Sequence, residues 1–120
     1  MATVPQFFKG FPESRKLFRV VRDYIESLGG VKIEVMRTQI SFGTRRKFAW
    51  AWLPQKWATG RPKKSLVVSF VSTERLQDRR IAEATKVGER RWTHHVVLEE
   101  SADFDARVKS WIRDAYKRAL

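Results

Sequence analysis

The chain contains no cysteine, which excludes disulfides, thiolate metal sites and cysteine nucleophiles and fits a reducing compartment. Its only two histidines are the neighbours His94 and His95. They would point to opposite faces of a strand and have no third Cys/His ligand, so a zinc site is not expected. A glycine-rich phosphate loop, an HExxH pair and a GxSxG turn are also missing, so catalysis has no positive signal. No apolar run reaches the roughly 18 to 20 residues that span a bilayer. The opening MATVPQFFKG lacks the apolar stretch and small-residue cleavage site of a secretory signal. The reading is a soluble, cytoplasmic protein with no membrane segment, no cofactor and no metal.

Acidic residues are scarce. Against 13 Asp+Glu stand 25 Lys+Arg, a net charge of +12 and a pI near 10.8, which favours a polyanionic partner by long-range attraction. Residues 1 to 64 hold 14 basic and 4 acidic side chains, and residues 65 to 120 hold 11 and 9. A binding face would therefore be built mostly by the first half, unless the charge serves only solubility. Hydrophobic residues make up 42%, with five Trp and eight Phe, enough for one core in a single domain over 1–120.

Phe11-Pro12-Glu13-Ser14 predicts a helix start, followed by Leu17, Val21, Tyr24 or Ile25, and Leu28 on one stripe, with Gly29-Gly30 as its stop. Alternation then predicts strands around Val31 to Val35, Ile40 to Phe42, Phe48 to Trp52 and Leu66 to Phe70. Turns are expected at Gly43-Thr44 and over Pro54 to Lys64. Residues 73 to 91 are polar and poorly periodic and read as a long loop. A fifth strand follows at Trp92 to Leu98, then a helix begun at Ser101-Ala102-Asp103, capped by Ser101 or Asp103, with Phe104, Val108, Trp111 or Ile112, and Ala115 inward. The expected fold is α+β: an N-terminal and a C-terminal helix on one face of a mostly antiparallel sheet of about five strands.

One stretch, TRRKFAWAWLP at 44–54, combines three cations with Phe48, Trp50 and Trp52 at every second position. The favoured reading buries all three rings beneath the helices and leaves the basic turn Arg45, Arg46, Lys47 as the anion site. The alternative exposes the rings as a stacking platform beside those cations. The pairs Arg79-Arg80 and Arg90-Arg91, with Arg80 and Arg91 as the candidate site residues, bracket the loop and would join the turn if it folds over the sheet. A pocket is expected among Gln39, Trp50, Trp52, Trp92, His94 and His95, with His94 the core member and His95 the candidate acid–base or phosphate-binding group. Glu99, Glu100, Asp103 and Asp105 read as electrostatics at the start of the last helix.

Three features in this order carry a resemblance: Gln39-Ile40-x-Phe42 followed by the basic turn into Phe48-Ala49; Thr93-His94-His95; and Trp111 with Ala115-Tyr116. On these, nearly the whole chain resembles the DUF5655 family, small bacterial and archaeal domains of unknown function. Relatives stand alone or end larger proteins, some nuclease-like or restriction-type, which implies an accessory binding module near nucleic acid. The expected function is thus a non-catalytic basic module contacting nucleic acid or a nucleotide phosphate. The alternatives are a small-ligand or enzymatic domain with a pocket near His95 and Arg80, and a protein-interaction module anchored by exposed Trp side chains.

Overall fold

The computed structural model describes residues 3–54 and 64–120. The turn expected over Pro54 to Lys64 lies, but for its two ends, outside the described residues. A short helix α1 (Val4–Phe7), unforeseen in the sequence, is started by Thr3, whose hydroxyl accepts from Gln6 N while Gln6 reaches back to Thr3 N, a reciprocal cap at the two ends of one turn. Helix α2 (Pro12–Ser27) follows, with Leu17, Phe18, Val21 and Ile25 buried. Gly29 and Gly30 then take φ of 94° and 67°, the left-handed closure that glycine adopts at no steric cost.

The strands are β1 (Lys32–Val35), β2 (Ile40–Gly43), β3 (Lys47–Trp52), β4 (Leu66–Ser72), β5 (Ile81–Gly88) and β6 (Arg91–Leu98). They form one antiparallel sheet of six in the order β1-β2-β3-β4-β6-β5. The extra strand, β5, occupies part of the stretch read from sequence as a loop. Its register slips between Ile81 and Glu83 and between Lys86 and Gly88, so the alternation that announces a strand is broken at both ends. It is also an edge strand, mostly exposed, with only Ile81 and Ala84 half-buried, so little of it demands apolar residues.

A 3₁₀ turn (Ser101–Asp103) leads to helix α3 (Ala106–Ala119), whose Val108, Ile112, Ala115 and Ala119 are buried. The cap is Asp105, accepting from Val108 N at 3.1 Å, and not the expected Ser101 or Asp103. Asp103 instead accepts from the backbone of Glu99 and Glu100. Both long helices lie on one face of the sheet, as the amphipathic stripes required, and Tyr116 of α3 donates to the Leu28 and Gly29 carbonyls at the end of α2.

Paired residues share a face of a sheet, so the register sorts the side chains. Toward the helices run two cross-strand rows. One is Val35, Ile40, Ala51, Val68, Val96, Ile81; the other is Ile33, Phe42, Ala49, Phe70, His94, Ala84. Both are apolar except at His94. The intervening row, on the reverse face, reads Glu34, Ser41, Trp50, Ser69, His95, Glu83. It is polar or amphipathic at every strand.

Trp50 and Trp52 therefore lie on the face away from the helices, and the expectation of three rings in the core is corrected. Only Phe48 is there, fully buried and edge-on to Tyr116 at 5.6 Å. The cause is a bulge: Phe42 pairs with Ala49 but Gly43 with Lys47, leaving Phe48 an extra residue. Gly43 is needed at this point, because a Cβ there would sit 3.1 Å from the Arg46 carbonyl oxygen and 3.2 Å from Lys47 Cα.

Candidate functional site

Arg80 does not join the basic turn. Its Nε donates to Asp105 Oδ2 at 2.6 Å and its Nη1 to Asp78 Oδ1 at 3.1 Å, clamping the segment before β5 to the first turn of α3. Asp105 is held below the usual carboxylate range chiefly by Arg80 and then by the Val108 N–H it caps. Asp78 is lowered chiefly by the Arg80 backbone N–H. Arg80 in turn is held more firmly protonated by Asp105 and then Asp78. This arginine has two carboxylate partners, and the expected anion site loses it.

Arg46 and Lys47 do meet Arg91. A cleft of about 260 Å³ at one end of the sheet is lined by Arg46, Lys47, Arg90, Arg91 and Arg118, with Ser72 and Thr73 supplying hydroxyls. No acidic side chain lines it among the described residues. Arg45 is exposed but is not among the lining residues. Three of the five cations come from the second half of the chain, although most of the net charge lies in the first.

Local bonds hold these groups together. Arg46 donates to the Arg118 carbonyl at 3.0 Å and Thr44 to that of Ala119 at 2.7 Å, so the basic turn caps the carbonyl end of α3, where cations are favoured. Arg118 donates to the Val71 carbonyl at 3.0 Å. Each arginine spends one of five guanidinium donors this way, which positions the group without exhausting it. Lys47 meets Glu34 at 3.4 Å, an exposed pair of the kind that contributes about 0 to 1 kcal/mol and exchanges readily for a stronger anion. Arg90 carries a φ of 58°, the only positive value on a non-glycine residue among the described residues. It sits in the two-residue turn between Gly88 and Arg91, which are paired.

His94 is fully buried. Its Nε2 accepts from Leu76 N at 2.9 Å, and its ring stacks at 5.3 Å on Phe70, which also stacks on Trp111 at 5.7 Å. Desolvation lowers its pKa, aided by repulsion from His95 and Arg75. It is a neutral anchor for the irregular segment 73–80, and with Trp92, which shares its face and lies beneath Arg75 at 6.0 Å, it drops out of the expected pocket.

The remaining members come together on the reverse face. Gln39, Trp50, Trp52 and His95 line a cleft of about 350 Å³ with Thr38, Ser69 and Thr93. At its base, Ser69 Oγ accepts from Trp52 Nε1 at 3.0 Å and lies 2.6 Å from His95 Nδ1. The assignment that satisfies all three groups has the serine proton directed to Nδ1. Trp52 stands edge-on to His95 at 5.9 Å.

A serine touching a histidine is the first contact of a nucleophile–base pair. Here, however, Ser69 is only 3% exposed and already accepts the indole proton, so the contact reads as scaffolding. Of these lining residues, Ser69 and Thr38 are absent from the sequence-based expectation, and Thr93 enters it only within the Thr93-His94-His95 feature. Ser69 had a signal, being the lone polar residue inside LVVSFV at the parity of the reverse face. Arg90 is marked in the sequence by its pairing with Arg91 at the end of the polar stretch, whereas Arg118 has no signal beyond its charge.

No group of three or more His, Asp or Glu is placed to hold a metal among the described residues, and no described helix is long and apolar enough to cross a membrane. Among curated proteins and solved structures nothing matches the chain. Residues 4–119, nearly all of it, do match the model of a domain of unknown function, and the chain belongs to that family, DUF5655.

Proposed function

We propose that the chain is a non-catalytic module that binds phosphate groups of nucleic acid or a nucleotide in the cleft between Arg46, Lys47, Arg90, Arg91 and Arg118. One observation carries this reading: five cations from three separate segments line one concavity with no carboxylate among its described walls. Like charges this close repel, and an anion entering the cleft relieves that repulsion. The planar donors of arginine suit phosphate oxygens, and the hydroxyls of Ser72 and Thr73 add neutral donors.

The mechanism makes a quantitative demand. Counterion release requires log affinity to fall linearly with log salt, by roughly 0.9 per duplex phosphate contacted or roughly 0.7 per single-strand phosphate. Fluorescence anisotropy with labelled oligonucleotides across a salt series measures the slope, and Arg91→Ala is expected to make it shallower by about one contact. Absence of binding at low salt refutes the proposal.

A further inference from the structure

We infer that the cleft at Trp50, Trp52 and His95 receives one unpaired nucleobase of a strand whose phosphates occupy the cationic cleft; this rests on the phosphate-binding reading above. The two clefts adjoin. Thr93 lines the first, its cross-strand partner Val71 lines the second, and Arg91, two residues along the same strand and on the same face as Thr93, lines the second as well. From His95 to Arg91 the strand rises about 13 Å, so one short segment of a polynucleotide reaches both.

The chemistry of the walls selects a flat, neutral, polar-edged group. Trp50 and Trp52 line the cleft with indole rings, and any base can stack on such a ring. Thr38, Gln39 and Thr93 carry groups that both donate and accept, and no Asp, Glu, Lys or Arg side chain lines the cleft among the described residues. The Gln39 amide in particular presents the adjacent donor and acceptor that match a base edge. A volume of about 350 Å³ falls at the lower end of small-molecule pockets, the size for one planar ring system. The indole of Trp52 is held by Ser69 and braced by His95, so little side-chain freedom is lost on binding. A base paired within a duplex cannot enter such a cleft, so single strands should be preferred.

The test titrates the full chain with a labelled mixed-sequence single strand, with the same strand annealed to its complement, and with a nucleoside monophosphate, following anisotropy for the strands and intrinsic Trp fluorescence for all three. The expected result is tighter binding of the single strand than of the duplex, by roughly 5- to 160-fold, the range of one base–aromatic stack. Trp50→Ala is expected to remove that advantage and leave duplex affinity unchanged. Should Trp50→Ala lose its fold by circular dichroism, Gln39→Ala at the rim takes its place, with a severalfold loss for the single strand alone. Fluorescence quenching by the monophosphate as well shows that a free nucleotide is accepted; quenching by the strand alone shows that the polymer is required. Equal affinity for single and double strands, or loss by the variants on both forms alike, overturns the base pocket and leaves the phosphate cleft standing. No binding of either strand at low salt overturns both.

Discussion

At the scale of single residues, Arg90 departs furthest from local preference. A left-handed backbone costs an L-residue with a Cβ roughly 1 to 2 kcal/mol, and turns of this kind ordinarily use Gly or Asn. Strain of this sort persists where the surroundings impose it, often at a functional site, and Arg90 lines the cationic cleft. Replacing it with glycine separates the two roles. Arg90→Gly is expected to leave stability unchanged or raise it by up to about 1 kcal/mol, since relief of strain is partly offset by the larger entropy of the unfolded chain. The same change should weaken oligonucleotide binding. Urea unfolding and anisotropy on one preparation check both, and a fall in stability with unaltered binding would assign Arg90 to the turn alone. This residue also shows why the β5–β6 hairpin escaped notice in the sequence: Glu89-Arg90 carries none of the usual turn residues.

Among the elements, α3 ties the parts together. Its first turn is capped by Asp105, which also holds Arg80, and its last carbonyls are capped by Thr44 and Arg46 from the basic turn. One end of the helix therefore fixes the approach to β5 and the other fixes the cationic cleft. Asp105→Ala removes a cap worth about 0.5 to 2 kcal/mol and frees Arg80 from one of its two partners. A loss of about 1 to 2 kcal/mol by urea unfolding is expected, with oligonucleotide affinity little changed because the cleft lies at the helix's other end. An equal loss of affinity at full folding would place Arg80 in the binding surface after all. The stripes of α2 and α3 were readable because 3.6-residue periodicity survives tertiary packing. Asp105 as cap was not, since Ser101, Asp103 and Asp105 all suit that position and only the intervening 3₁₀ turn decides among them.

For the molecule as a whole, stability should fall with acid in two steps. His94 is buried neutral with its pKa below the ordinary 6.5, so the unfolded chain takes up the proton first. Its contribution is present in full above about pH 6.5 and declines as pH falls below that value. Asp78 and Asp105 have pKa values below the ordinary 3.8; their contribution is present above 3.8 and is lost as pH falls through the lowered values. Chemical denaturation at a series of pH values should show the first decline in the native chain and not in His94→Gln, which has no titrating ring and retains a carbonyl acceptor for Leu76 N–H. A first step that persists in His94→Gln would refute its assignment to His94.

Periodicity and charge determined the α+β class, the two amphipathic helices, the central strands and the cationic character, because each is written in local order along the chain. The split of the FAWAW rings was decided in three dimensions. A single bulge opposite Gly43 turns Phe48 toward α3 and leaves Trp50 and Trp52 on the other face, and a one-residue irregularity has no signature in a stretch that alternates without a break. The grouping of Arg46 and Lys47 with Arg90, Arg91 and Arg118, and the pairing of Arg80 with Asp105 instead, were decided the same way. Charges have no period, and the partner each one meets depends on which strand ends and helix ends the sheet order brings together.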